Sequence, residues 1–268
     1  MKKQLILLTT MLLGCLSTNA QTESAPKSAA GKGAASDAVV RTIFAYGGQI
    51  NKAFLSYIIS LTGKPNPKVC FLPTATGDSP NYIAYWYGLC TDMPLRPYVQ
   101  KTFINSSPDQ KSFEEMLLDM DAIVVGGGNT LNMLAIWKAQ GIDTVLRKAY
   151  EHGILLAGGS AGSLCWFSSG YTDSRPKALS KIEGLGYIKA SHCPHYNTEA
   201  SRKPLYHNSI LSGDQTAGYA CDELSGIVFQ NEKFVRAVSA HADHHSYFVS
   251  VVNGKIEEKK LEAETIGQ

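Results

Sequence analysis

Two strand-length apolar runs, each stopped by glycines, constrain the fold of this 268-residue chain more than any other feature. Ala122-Ile123-Val124-Val125 enters Gly126-Gly127-Gly128, and Ile154-Leu155-Leu156-Ala157 enters Gly158-Gly159-Ser160-Ala161-Gly162. A short run that is apolar on both of its alternating faces reads as a strand buried on both sides, as in a parallel sheet covered by helices. The surrounding sequence predicts those helices over residues 49–61, 80–89, 109–118, 130–139 and 143–152. Further strands are predicted over 39–46, 68–72 and 96–103. In 49–61, Ile50, Phe54, Tyr57, Ile58 and Leu61 share one face at helical spacing. The C-terminal part changes to short β-runs over 217–221, 226–230, 234–239 and 247–252. Asn253-Gly254 is a strong two-residue hairpin turn into 255–260. The expected fold is therefore α/β, with a mostly parallel sheet sandwiched by helices and a C-terminal β-hairpin.

Composition narrows the function classes. A hydrophobic fraction of 44% with 18% charged residues belongs to a folded globular chain. The formal charge of +2 is carried by Lys2 and Lys3; the remainder is balanced, which argues against bulk nucleic-acid binding. Those two lysines precede the apolar run Leu5 to Leu13 and then small and polar residues to Ala20, the three-part pattern of a secretory signal peptide over residues 1–20. Cleavage after Ala20 is one exit. The other is a lipobox, Leu12-Leu13-Gly14-Cys15, which would place lipid on Cys15. The chain is thus expected to be exported: periplasmic, secreted, or lipid-anchored at a membrane surface. Residues 21–37 lack large apolar side chains and read as a flexible linker. The folded domain is expected over 38–268. Of the six cysteines, Cys70, Cys90, Cys165, Cys193 and Cys221 lie in that domain with no CxxC spacing, and are read mainly as small buried hydrophobes.

The chemistry centres on Gly158-Gly159-Ser160-Ala161-Gly162. Gly-x-Ser-x-Gly between a buried strand and a helix-like segment is the nucleophile-elbow pattern. A sharp strand-to-helix turn requires small neighbours and lifts the serine hydroxyl above the sheet edge, at a helix N-terminus that favours negative charge. The Ala161 N–H is then a candidate oxyanion donor. Gly126-Gly127-Gly128-Asn129 follows a strand at the same sheet edge; without a dinucleotide fingerprint or a Walker lysine, it suits oxyanion donation better than phosphate binding. A serine needs a base, and His195, in Ser191-His192-Cys193-Pro194-His195-Tyr196, is the candidate. His152 reads as a helix cap, His207 as part of a surface helix, and His241, His244 and His245 as a solvated polar turn rather than a metal site. The acid that orients the base is expected at Asp173, with Asp222 and Glu223 as rivals.

Taken together, these segments resemble the peptidase E (aspartyl dipeptidase) family of serine peptidases, which also contains cyanophycinase. The resemblance runs from Phe71-Leu72-Pro73-Thr74-Ala75 through the glycine loop, the elbow and Pro194-His195-Tyr196 to Asp222-Glu223. It implies a class I glutamine-amidotransferase-like α/β sandwich and a poorly characterised bacterial branch of the family. It also implies Ser160 as nucleophile, His195 as base, and Gly127, Gly128 and Ala161 as oxyanion donors. Substrate contacts are expected from Asn129 and from Arg175, the latter on position alone against an ordinary surface arginine. No metal or organic cofactor is implied. The expected partner is a small peptide, cleaved by a dipeptidase or exopeptidase with Asp-X among the candidates; the alternatives are a cyanophycinase-like exopeptidase on a polymer and a non-catalytic binding protein. No nucleic acid is expected, a membrane only through lipid on Cys15, and a homodimer is the expected assembly.

Overall fold

The computed structural model describes residues 39–267; the expected signal peptide, Cys15 and the 21–37 linker lie outside them. In chain order the elements are β1 (Thr42–Tyr46), α1 (Lys52–Thr62), β2 (Lys68–Leu72), α2 (Pro80–Cys90), β3 (Arg96–Val99), α3 (Phe113–Leu117), β4 (Ala122–Val125), α4 (Thr130–Gln140), α5 (Ile142–Glu151), β5 (Leu155–Gly159), α6 (Ala161–Leu164), β6 (Phe167–Thr172), β7 (Ser180–Glu183), β8 (Ile188–Cys193), α7 (Arg202–Leu211), β9 (Gly218–Cys221), β10 (Ser225–Gln230), β11 (Lys233–Ser239), β12 (Ser246–Val252), β13 (Lys255–Lys260) and β14 (Ala263–Thr265).

The first sheet has eight strands in the order β14-β11-β10-β1-β5-β4-β2-β3. Its centre is parallel: β1 pairs β5, β5 pairs β4, β4 pairs β2 and β2 pairs β3. Antiparallel β10 and β11 extend one side. Alternation divides the core. Phe44, Tyr46, Val69, Phe71, Val124 and Ala157 face α1 and α2, where Phe54, Leu55, Ile58 and Trp86 are buried. Ile43, Ala45, Cys70, Leu72, Ile123, Val125 and Leu156 face the other way, towards Met133 and Trp137 of α4 and Val145, Leu146 and Tyr150 of α5. Successive side chains of one strand thus enter opposite layers, which is why β1, β4 and β5 are buried throughout.

The second sheet, six strands in the order β13-β12-β9-β8-β6-β7, is the main departure from the expected architecture. The segment after the elbow does not continue as a helix: α6 is four residues long, and Phe167 opens a strand. Trp166, Phe167, Ile188 and Cys221 belong to the same buried cluster as the α4 and α5 residues, so this sheet completes one face of the first. Its opposite side buries Tyr206 and Ile210 of α7 against Cys193, Ala220 and Val249. Two other expected elements are shorter than predicted. The strand over 96–103 ends at Val99, because the Asp78 carboxylate takes the N–H groups of Thr102 (2.5 Å) and Phe103 (2.7 Å). The helix over 109–118 starts at Phe113, fixed by a capping box in which Ser112 and Glu115 bond reciprocally. The Asn253-Gly254 turn joins β12 to β13 as predicted, with both residues at positive φ.

Candidate active site

The carboxyl ends of β1, β4 and β5 in the first sheet meet those of β8 and β9 in the second, and the site lies where they converge. Ser160, between β5 and α6, has φ 53° and ψ −118°. This is a region that non-glycine residues occupy at a cost of about 1–3 kcal/mol, held only by surrounding structure. The holding contacts are specific. The Ser160 N–H donates to the Tyr46 carbonyl at 3.3 Å, and its own carbonyl accepts from Leu164 N–H at 2.9 Å and from Ser163 Oγ at 2.8 Å. The elbow also needs its glycines. A Cβ on Gly162 would stand 2.2 Å from the Val125 carbonyl oxygen, and one on Gly159 would stand 2.0 Å from that of Gly48.

His195 follows β8 and itself has φ 54°. Its Nε2 is 2.7 Å from Ser160 Oγ and its Nδ1 is 2.6 Å from Glu223 Oε2. A carboxylate only accepts, so Nδ1 carries the proton and Nε2 presents its lone pair to the Ser160 hydroxyl. The hydrogen bond from His195 holds the Glu223 carboxyl below the usual range, against its partial burial. Glu223 is fixed in turn by Thr198 Oγ1, 3.3 Å from Oε2, and by its backbone N–H, which donates to Asn197 Oδ1 at 3.0 Å.

The expected pairing of Asp173 with His195 is corrected here. Strand β8 lies between β6 and β9, so an acid at the end of either neighbour can reach a histidine at the end of β8. The imidazole turns to the β9 side. Asp173, just past β6, is exposed and makes no hydrogen bond among the described residues. Of the two rivals, Asp222 is buried and accepts from the His245 N–H at 2.7 Å, leaving Glu223 at the histidine.

The glycine loop stands beside the nucleophile: a Cβ on Gly127 would be 3.1 Å from Ser160 Cβ. The N–H groups of Gly127 and Gly128 have no hydrogen-bond acceptor among the described residues. Ala161 opens α6, where backbone N–H groups lie beyond the intrahelical ladder. Asn129, the expected substrate contact, has a structural part. Its side chain caps α4 by accepting from Asn132 N–H at 2.8 Å and donates to the Ser174 carbonyl at 3.2 Å. Arg175 is exposed, donates to Ser180 Oγ at 2.8 Å, and lines a cleft with Asp173, Lys177 and Leu205 that includes neither Ser160 nor His195.

Several positioning residues were not singled out by their sequence pattern. His244, in the turn read as solvated, accepts at Nδ1 from the Leu224 N–H and from Asn197 Nδ2, each at 3.2 Å, and so ties down the turn that carries Glu223. His192 is fully buried and stacked on Phe167 at 4.3 Å. Its Nδ1 lies 3.0 Å from the Tyr219 carbonyl and its Nε2 lies 2.9 Å from Ser163 Oγ, the hydroxyl that also reaches the Ser160 carbonyl. Burial pushes its pKa down to about 3, so it is a neutral structural histidine. No sequence period marks these partners, which come from different strands and loops.

Comparison with known proteins bears on the family and the fold. The sequence profile of peptidase family S51 matches residues 44–237. The chain is 38% identical over 217 residues to an uncharacterised peptidase, YgaJ, of Bacillus subtilis (strain 168), covering 81% of this chain and 93% of the relative. Among solved structures it resembles a peptidase from an acI-B1 actinobacterium, at a TM-score of 0.66 and 18% identity, covering 85% of this chain and 97% of that one. It also resembles a candidate peptidase E protein from Listeria monocytogenes EGD-e, at a TM-score of 0.56 and 18% identity, covering 75% and 98%. These two likenesses concern the fold.

Proposed function

The chain belongs to peptidase family S51, a family of serine peptidases, and on that premise we propose that it hydrolyses short peptides, as a dipeptidase or exopeptidase, through Ser160, His195 and Glu223. The observation that carries this reading is the unbroken hydrogen-bonded chain from Ser160 Oγ through His195 to Glu223, at 2.7 and 2.6 Å. As the Ser160 hydroxyl attacks the peptide carbonyl carbon, His195 Nε2 takes its proton. The resulting imidazolium is stabilised by the Glu223 carboxylate. The carbonyl oxygen becomes an oxyanion, received by the N–H groups of Gly127, Gly128 and Ala161. His195 then protonates the leaving amine, and the C–N bond breaks to give an acyl-enzyme. Water, deprotonated by the same imidazole, releases the acid and restores Ser160. The signal-peptide pattern over residues 1–20 is what supports the further reading that this activity works outside the cytoplasm.

The test is hydrolysis of a dipeptide panel by the protein beside its Ser160→Ala variant. The expected result is cleavage that falls by about 10⁴-fold or more in the variant. If the folded protein cleaves none of the panel and a serine-reactive fluorophosphonate leaves Ser160 unmodified, the reading fails.

A further inference from the structure

The base is carried at φ 54°, where a non-glycine residue stays only if its surroundings hold it. The backbone bonds of His195 itself are long. Its N–H donates to the Gly47 carbonyl at 3.3 Å, and its carbonyl accepts from the N–H groups of Thr198 and Glu199 at 3.3 Å each. The turn it opens carries more than the imidazole. Asn197 Oδ1 accepts from the Glu223 N–H, and Thr198 Oγ1 donates to Glu223 Oε2. Residues 195–198 therefore govern both hydrogen bonds of the Ser160-His195-Glu223 chain.

The side chain of Tyr196 anchors this turn in the second sheet. It is 4% exposed, in a cluster with Cys193, Tyr206, Ile210, Ala220 and Val249. Its hydroxyl is 2.5 Å from Glu258 Oε2 and 2.7 Å from His207 Nε2, and that nitrogen is 3.0 Å from the same carboxylate oxygen. A carboxylate only accepts, so the Tyr196 hydroxyl donates to Glu258, and the proton on His207 Nε2 is shared by the phenol oxygen and the carboxylate. Lys203 Nζ, 2.8 Å away, holds the other oxygen, Oε1. Burial works to raise the Glu258 carboxyl, but the hydrogen bonds from Lys203, Tyr196 and His207 keep it below its usual range, so the acceptor is charged and its hydrogen bond strong. Glu258 lies on β13, 62 positions after Tyr196 and far from the reacting atoms in sequence.

Resting on the peptidase reading above, we propose that Tyr196 and Glu258 are positioning residues for catalysis: the C-terminal hairpin, through the Glu258–Tyr196 hydrogen bond, holds the 195–198 turn in the strained conformation that aims His195 at Ser160. When that bond is removed, the turn relaxes, the imidazole swings off the Ser160 hydroxyl, and the grip of Asn197 and Thr198 on Glu223 slackens. A displacement of about 1 Å at a catalytic group costs about 10²-fold in rate, so the loss shows in turnover before it shows in folding.

The experiment measures kcat and KM on a dipeptide that the protein cleaves and, without any peptide, the rate at which diisopropyl fluorophosphate labels Ser160. The proteins are the wild type, Tyr196→Phe, Glu258→Ala, their double variant, Glu258→Gln and Ile210→Val. Tyr196→Phe and Glu258→Ala should each lower kcat and the labelling rate about ten- to a hundredfold with KM within about twofold, and the double variant should fall no further than either alone. Glu258→Gln keeps an acceptor oxygen for the phenol and should return both rates to within about threefold of the wild type. Ile210→Val, in the same cluster but outside the hydrogen bonds, should lower Tm and leave kcat within about twofold. With a labelled wild type, the positioning role is overturned and the peptidase left intact by any of three results: unchanged rates in Tyr196→Phe and Glu258→Ala, additive losses in the double variant, or losses that Ile210→Val matches in proportion to Tm. An unlabelled, inactive wild type overturns the nucleophile and the positioning role together.

Discussion

Ser160 and His195 both hold positive φ angles, 53° and 54°, and each is the first residue after a strand end or one proline beyond it. Neither conformation is favourable by itself; each aims a side chain that an ordinary strand would point elsewhere. The serine is legible in the sequence because its requirement is local: small residues must surround a tight turn, and Gly158, Gly159, Ala161 and Gly162 do. The acid is not legible, because its position depends on which neighbour of β8 the imidazole faces. Asp173 and Glu223 follow strands on opposite sides of β8, and nothing within either segment separates them. Kinetics separate them directly. Glu223→Gln should lower kcat/KM by about 10³- to 10⁴-fold, since the amide no longer fixes the Nδ1–H tautomer. Asp173→Asn should change it less than threefold. The reverse pattern would return Asp173 to the triad.

Element boundaries follow the local chemistry that ends them. The Ser112 capping box sets the start of α3, and the Asp78 carboxylate takes the chain after β3 out of the sheet. The shortness of α6 has a longer-range cause: Trp166 and Phe167 are drawn into the layer between the two sheets, so the chain leaves the helix as soon as the elbow is made. His192 links these elements, joining β8 to α6 through Ser163 and to β9 through the Tyr219 carbonyl. Its burial has a consequence for stability. With a pKa near 3 in the folded protein against 6.5 in an exposed histidine, the unfolded chain binds a proton that the folded chain does not. The sign follows: stability supplied by neutral His192 is whole above pH 6.5 and is lost progressively as the pH falls towards 3. His192→Gln keeps a donor and an acceptor but does not titrate. Thermal unfolding of the two proteins across this range should show the wild type losing Tm more steeply than the variant. Parallel curves would mean that His192 is already accessible to protons in the native state.

At the scale of the whole molecule, every cysteine among the described residues is a buried free thiol: Cys70, Cys165 and Cys221 in the cluster that the two sheets share, Cys90 in the cluster beneath α1 and α2, and Cys193 in the one beneath α7. Burial pushes Cys70, Cys90, Cys193 and Cys221 up to about 12, and Cys165 well above its ordinary value. Loss of about three pK units in thiolate character, together with exclusion of reagent, should slow labelling by Ellman's reagent at pH 8 about a thousandfold relative to denaturant. Rapid modification of these thiols in the folded protein would show that the core opens readily. The strand-glycine runs, the amphipathic face of α1, the hairpin at Asn253-Gly254 and the elbow itself were written in the chain, because each depends on residues a few positions apart. The second sheet, the turn held by His244 and the choice of Glu223 were not. Each of these depends on segments far apart in sequence being brought into register, and only packing of the two sheets supplies that proximity.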